Sequence, residues 1–235
     1  MNKFIFDVDG TLTPSRGVID PKFKEFFNYF CRDNPVYLVT GSDKSKTVEQ
    51  IGEDTYNLCY TVYNCNGNDV WQSNNNIRTN EWKLSELAHD WLSEQLTESE
   101  FSLRTGLHFE HRPGMVNFSV VGRNANAEQR KMYVQWDTER LERIWIADKF
   151  NLIFPELDAK VGGETGIDIS PKGFDKSQIV KDFDKEDRLY FFGDAMHEDG
   201  NDYPLAQVAH HSKHVTGWKQ TWEYLTWFQE QKIAN

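Results

Sequence analysis

Residues 3–8, Lys-Phe-Ile-Phe-Asp-Val, form a short run of aromatic and β-branched side chains that breaks at Asp9-Gly10. A run of this kind reads as a buried strand entering a loop, here with two carboxylates at its exit. Asp20-Pro21 then opens a helix, an N-cap followed by proline at the first helical position, and Phe23, Phe26, Phe27 and Phe30 mark one apolar face. A second apolar strand, Val36-Tyr37-Leu38-Val39, closes at Thr40-Gly41-Ser42-Asp43, and residues 46–51 are again helical in pattern. Strand, helix, strand, helix in this order implies a parallel sheet with crossover helices, an α/β fold.

The style changes in the middle of the chain. Residues 66–80 are dominated by Asn, Gly and Ser, and the periodicity loosens. A helix over 81–96, two strand-like stretches over 107–112 and 115–121, and a long helix over 127–150 follow. After Gly162-Gly163 the first style resumes, with a strand over 166–169, a helix over 174–182 and a strand over 188–192 that ends in Gly193-Asp194. The pattern divides the chain into a catalytic core, 1–77 and 165–235, and an inserted α+β cap, 78–164.

The 235 residues suffice for a buried core, and 38% hydrophobic with 14% aromatic content suits a globular protein. A formal net charge of −11 argues against a general nucleic-acid or anionic-membrane binder, because phosphate backbones repel an acidic surface. No run approaches the roughly 18 apolar residues of a membrane span. The N-terminus lacks the apolar stretch and small-residue cleavage site of a signal peptide. Three cysteines, Cys31, Cys59 and Cys65, show no CxxC spacing and read as free thiols of a reducing compartment. A soluble cytoplasmic protein is the expectation.

Asp7 and Asp9 stand where ligands bind in a parallel sheet, outside the carboxyl end of a strand. Two carboxylates there can divide the work of phosphoryl transfer: Asp7 attacks phosphorus, and Asp9 protonates the leaving oxygen and later deprotonates the acceptor. Clustered carboxylates and a phosphate repel one another, so a hard divalent cation with oxygen ligands is required, and Mg²⁺ suits best. Alone, Asp-x-Asp-Gly reads equally well as a turn. Three further segments supply what the chemistry needs. Thr40 and Ser42 offer hydroxyls beside a helix N-terminus. Lys176 sits near a helix start, where a cation is disfavoured unless a site requires it. Asp194, with Asn201 and Asp202 behind it in Gly200-Asn201-Asp202, extends the metal shell. Taken singly, these residues read as an N-cap, a surface lysine and a solvated acidic turn.

Together, DVDGT, TGSD, the late lysine and GDxxxxxGND resemble the haloacid dehalogenase (HAD) superfamily of phosphotransferases. Residues 6–16, Gly41-Ser42-Asp43 with Glu49-Gln50-Ile51-Gly52, residues 168–176, and residues 112–117 continuing to Gly122-Arg123 are similar to the eukaryotic-type phosphomannomutases. The resemblance implies a HAD-like Rossmannoid core with an inserted cap. It implies Asp7 as nucleophile, Asp9 as acid/base, and Mg²⁺ on Asp7, the Asp9 carbonyl and Asp194. Arg16, Arg112, Arg123 and Arg130 match the arginines that grip the two ends of a sugar phosphate, and Asn117 and Asp168 match positions close to the sugar. On composition alone the insert arginines read as surface charges. The implied substrate is a small hexose phosphate, and the implied activity interconverts mannose 6-phosphate and mannose 1-phosphate, with hexose 1,6-bisphosphate as intermediate and activator. A sugar-phosphate phosphatase is the alternative, because it needs the same core without a distal phosphate clamp. A binding protein on a retired hydrolase fold would lack a catalytic residue, and none is missing. The chain departs from the family pattern at Pro113, Gly166 and residues 195–199. The family tends to dimerise through the insert; the Trp136 and Trp145 helix offers apolar surface for a homodimer or, equally, an intramolecular face.

Overall fold

The computed structural model describes residues 1–15, 17–198 and 200–233, with the side chains of residues 232 and 233 outside that description. It resolves into two units, Met1–Thr79 with Gly173–Asn235, and Asn80–Lys172.

The first unit begins β1 (Asn2–Phe6), α1 (Pro21–Asp33), β2 (Val36–Val39), α2 (Lys44–Ile51), α3 (Glu53–Leu58) and β3 (Thr61–Asn64). Helix α1 forms where the sequence pattern places it. The Asp20 carboxylate accepts from the Lys22 and Phe23 amides, and Phe23, Phe27 and Phe30 are buried along one stripe. Residues 66–80, expected to be loose, hold a 3-10 turn (Cys65–Gly67) and the hairpin β4 (Asp69–Gln72) and β5 (Asn75–Thr79). Asn and Ser there are turn chemistry: Ser73 takes the left-handed conformation at the bend.

The second unit runs α4 (Glu86–Glu98), β6 (Phe109–Arg112), β7 (Met115–Phe118), α5 (Ala127–Arg140), α6 (Glu142–Ile153), β8 (Leu157–Gly162) and β9 (Gly166–Pro171). The chain then returns to the first unit through a 3-10 helix (Lys176–Asp182), β10 (Arg188–Gly193), α7 (Tyr203–Val208), β11 (His211–His214) and α8 (Trp218–Ile233).

The seven-stranded sheet has the order β11-β10-β1-β2-β3-β4-β5. The first five are mutually parallel, and the β4-β5 hairpin adds antiparallel strands at one edge. Alternate residues of β1 enter opposite cores: Phe4 and Phe6 pack with Phe27, Phe30 and Leu225, and Ile5 packs with Phe191, Ile179 and Leu205. A strand buried on both faces requires the unbroken apolar run seen in the sequence. The register places Phe6 beside Phe192 and Leu38, so β1, β10 and β2 end level with one another. Their next residues carry the chemistry.

The second unit is a four-stranded antiparallel sheet, order β6-β7-β9-β8. One face packs Phe118, Ile167 and Ile169 with Leu92, Tyr133, Ile146 and Phe150. The unit boundaries fall at 79/80 and 172/173, and the strand over 166–171 belongs to this sheet, not to the core. Its alternation, Gly-Ile-Asp-Ile-Ser-Pro, is that of a one-sided antiparallel strand. The single helix expected over 127–150 is two helices, because Leu141 adopts a left-handed conformation (φ 56°) between α5 and α6. The two tryptophans divide: Trp136 packs against Phe101 and Tyr133, and Trp145 stays 49% exposed. Among the described residues, no helix is long and apolar enough to cross a membrane.

Candidate active site

Asp7 directly follows β1, and its amide donates to Phe192 O at 2.9 Å, continuing the ladder one residue past the strand. Its carboxylate is buried. Lys176, wholly buried at the start of its 3-10 helix, donates to Asp7 Oδ1 at 2.6 Å and to Asp202 Oδ1 at 2.7 Å. The second Asp202 oxygen accepts from the Ala195 amide at 3.0 Å. A lysine at a helix start is held there by two carboxylates that outweigh the dipole.

Asp7, Asp194 and Asp202 each present a carboxylate oxygen, and the three lie within 4.8 Å of one another. Burial pushes the Asp7 carboxyl up to about 7; Lys176 opposes that shift, and Asp202 and Asp194 add to it. Burial also raises Asp194, with Asp202 next. Burial alone would lower Lys176, but Asp202 and Asp7 outweigh it and hold the ammonium above its usual range. Three carboxylates against one ammonium leave the pocket short of positive charge. A hard divalent cation with oxygen ligands fits that deficit. Asp202 has both oxygens engaged, so Asp7 and Asp194 are the freer ligands.

Gly10 sits at φ 85°, and a Cβ there would stand 2.7 Å from Asp194 Cγ. The glycine allows the turn after β1 to run against the Asp194 carboxylate. Asp9 is not one of the acidic triad, and Gln50 Nε2 of α2 donates to its Oδ1 at 3.2 Å. Thr40 is buried and accepts from the Ser42 amide at 3.1 Å, so its hydroxyl shapes the loop that presents the half-buried Ser42. Asn201 is exposed and outside the triad. Arg16 lies outside the described residues. The exposed His214, at the end of β11, brings Nε2 to 3.1 Å from the Asp194 carbonyl.

In the second unit, Glu110, Asn117 and Asp168 are cross-strand partners on the polar face of the sheet. Asn117 donates to Asp168 Oδ1 at 2.6 Å. Glu110 gathers two arginines: Arg112 Nε and Nη2 lie 2.7 and 2.6 Å from Oε1, and Arg123 Nε donates to Oε2. Burial pushes Glu110 up, but Arg112 and Arg123 win and hold it below the usual glutamate range. Asp168 is raised by burial, against the Asn117 hydrogen bond and the same arginines. Arg130 stands apart on α5, 3.5 Å from Glu164. A Cβ at Gly166 would stand 2.8 Å from Asn117 Oδ1, so a larger residue there would require the Asn117 amide to shift. Gln50 and Glu110 are the residues that sequence reasoning did not assign. For Glu110 the signal was Glu-x-Arg at strand spacing, which puts both side chains on one face.

Solved structures show a shared fold first. The C-terminal domain of C. albicans trehalose-6-phosphate phosphatase superposes with a TM-score of 0.63 at 14% identity, covering 94% of this chain and 90% of that one. A haloacid dehalogenase-like hydrolase from Bacteroides thetaiotaomicron gives 0.57 at 14% identity, covering 95% and 99%. The fold is shared with these two proteins, a parallel sheet with an inserted α+β unit.

Sequence narrows the class. The model of the eukaryotic phosphomannomutase family matches residues 23–226. A phosphomannomutase of Schizosaccharomyces pombe is 31% identical over 220 residues, 86% of this chain and 83% of that protein. Phosphomannomutase 1 of Dictyostelium discoideum is 30% identical over 222 residues, covering 90% and 89%. The chain belongs to the eukaryotic phosphomannomutase family.

Proposed function

We propose that the chain interconverts mannose 6-phosphate and mannose 1-phosphate through a phosphorylated Asp7 and a hexose 1,6-bisphosphate. The observation that carries this reading is the buried Lys176 bridging Asp7 and Asp202, because it holds one oxygen of Asp7 and leaves Oδ2 as the attacking atom. Asp7 Oδ2 bonds to phosphorus as the bond from phosphorus to the sugar oxygen breaks, and Asp9 gives that oxygen a proton. Starting from the hexose 1,6-bisphosphate, this leaves phospho-Asp7 and a hexose monophosphate. The free hydroxyl of another hexose monophosphate then attacks the phosphoryl group as its bond to Asp7 Oδ2 breaks, Asp9 takes the proton, and the 1,6-bisphosphate forms again, ready to give up its other phosphate. Mg²⁺ would be held by Asp7, Asp194 and the Asp9 carbonyl. When bound it supplies positive charge against the phosphoryl oxygens. Lys176 holds the remaining charge of Asp7, and Ser42 offers a hydroxyl to a phosphoryl oxygen.

A mutase also needs a clamp for the phosphate that is not reacting. Arg112 and Arg123 supply two guanidinium forks on the polar face that holds Asn117 and Asp168, with Arg130 and Arg16 as further candidates. Glu110 favours a second reading. It occupies both arginines, so a remote phosphate must compete with a carboxylate for them, and an enzyme without that clamp is a sugar-phosphate phosphatase. Half-exposed Trp145, with Leu141 and Ile144, is the apolar surface an association through the insert would use.

One assay separates the readings. Mannose 1-phosphate with a trace of the 1,6-bisphosphate and Mg²⁺ should yield mannose 6-phosphate well ahead of free phosphate. Phosphate release without isomerisation would establish the phosphatase instead. Asp7→Asn should abolish both products, and survival of either would remove Asp7 from the mechanism.

A further inference from the structure

Residues 65–67 follow β3 with three consecutive left-handed backbones, Cys65 at φ 49°, Asn66 at φ 57° and Gly67 at φ 92°. This turn clasps the loop that presents Ser42. The Asn66 amide donates to Thr40 O at 2.8 Å, and the Cys65 amide donates to Ser42 O at 2.9 Å. The Asn66 carbonyl accepts from Gln178 Nε2 at 2.8 Å, on the 3-10 helix that carries Lys176. At Asn66 these are all main-chain contacts. Glycine would hold the same backbone freely, whereas asparagine brings a carboxamide with it. Among the described residues its Oδ1 is buried without a hydrogen-bond partner, a costly arrangement for an acceptor.

That oxygen stands beside Gly41, the residue before Ser42, at 3.5 Å from the point a Gly41 Cβ would occupy. Asn201 Nδ2 stands 3.9 Å from the same point. An acceptor from the turn after β3 and a donor from the acidic loop thus come to one spot next to Ser42. An ionised phosphoryl group carries acceptors only and cannot satisfy Oδ1. A hydroxyl can give its proton to one carboxamide and accept one from the other.

We propose that Asn66 and Asn201 bind one hydroxyl of the hexose whose phosphoryl group is held at Asp7 and Ser42. This rests on the proposed roles of Asp7 and Ser42 and adds a contact to the sugar. Asn66 Oδ1 accepts from the hydroxyl, and Asn201 Nδ2 donates to it. The terminal torsion of an asparagine is soft, so rotation of the carboxamide brings the covered Oδ1 to the ligand.

Asn66→Gly removes the carboxamide and keeps the left-handed turn with its main-chain bonds. In this variant kcat/KM for mannose 1-phosphate should fall about 10-fold, the scale of one net hydrogen bond. One of the 2-, 3- and 4-deoxy derivatives should lose at least that factor with the unaltered enzyme and almost nothing further with Asn66→Gly. Asn201→Ala should single out the same derivative. With p-nitrophenyl phosphate, Asp7 Oδ2 bonds to phosphorus as the bond to the aryl oxygen breaks, and p-nitrophenolate leaves with the electron pair. No sugar hydroxyl takes part, so its pre-steady-state burst in Asn66→Gly should stay near the wild-type rate. Asn66→Asp keeps an acceptor in the same place and serves if the glycine variant does not fold: it should still discriminate against the deoxy sugar.

Unchanged hexose kinetics in Asn66→Gly, a loss additive with every deoxy derivative, or different derivatives for the two asparagines would overturn the proposal. An equal fall in the p-nitrophenolate burst would overturn it too, because the residue would then act on the Ser42 loop and not on the sugar. A burst that persists in Asp7→Asn would instead overturn the underlying reading of Asp7, so the two failures are distinct.

Discussion

In the proposed mechanism Asp7 must be an anion to attack phosphorus, yet it is buried beside two other carboxylates. Lys176 resolves the conflict. It lies 2.6 Å from Asp7 and 2.7 Å from Asp202 with no exposure of its own. Removing one partner of a buried ion cluster leaves uncompensated charge, worth about 3–5 kcal/mol. The pH dependence follows from Asp7. Its folded pKa, about 7, lies above the unfolded value of 3.8, so its contribution to stability is complete below that value and is lost as pH rises through 7. Lys176→Met removes the ammonium that opposes the shift and raises Asp7 further. In EDTA, urea melts should show a loss of about 3–5 kcal/mol at pH 8 and a smaller one at pH 5, where Asp7 carries its proton. A loss independent of pH would mean that the lysine acts by packing alone. Asp7, Lys176, Asp194 and Asp202 were legible in the sequence because each sits at a strand end or a helix start. Gln50 and Glu110 were not. A glutamine in an amphipathic helix and a glutamate in an alternating strand look like solvated polar residues, and only the fold brings them to Asp9 and to Arg112 and Arg123.

Among the elements, the parallel strands were the most legible, because burial on both faces leaves no alternative to an apolar run. The hairpin of β4 and β5 was hidden by its own turn residues, and the break between α5 and α6 by a residue that ordinarily favours helix. Leu141 ends α5 at φ 56°, a conformation that costs a non-glycine residue roughly 1–2 kcal/mol. Its side chain is 53% exposed, so little packing is lost on truncation. Leu141→Gly should raise stability by about 1 kcal/mol in chemical denaturation, the strain relieved less some added freedom of the unfolded chain. A destabilised variant would show that the leucine contacts outweigh the backbone strain.

The whole molecule is two units with separate cores, and the second is one continuous segment, Asn80–Lys172. Its sheet is closed on one face by α4, α5 and α6 around Phe118, Tyr133 and Phe150. A segment with its own core can in principle fold alone, so residues 80–172 expressed separately should unfold cooperatively by circular dichroism. A non-cooperative melt would show that this core needs the rest of the chain. The polar face of that sheet was the least legible feature at this scale, because the strand carrying Asp168 looked like a core strand until its pairing with Asn117 was known.

The central claim is that Asp7 carries the phosphoryl group between the two ends of a hexose. Quenching the enzyme in acid during turnover of labelled hexose 1,6-bisphosphate, then reducing with borohydride, converts an aspartyl-phosphate to homoserine. Peptide mass spectrometry should place homoserine at residue 7 in amounts that follow the isomerisation rate. Turnover with an unmodified residue 7, or with the label on another side chain, would contradict the account.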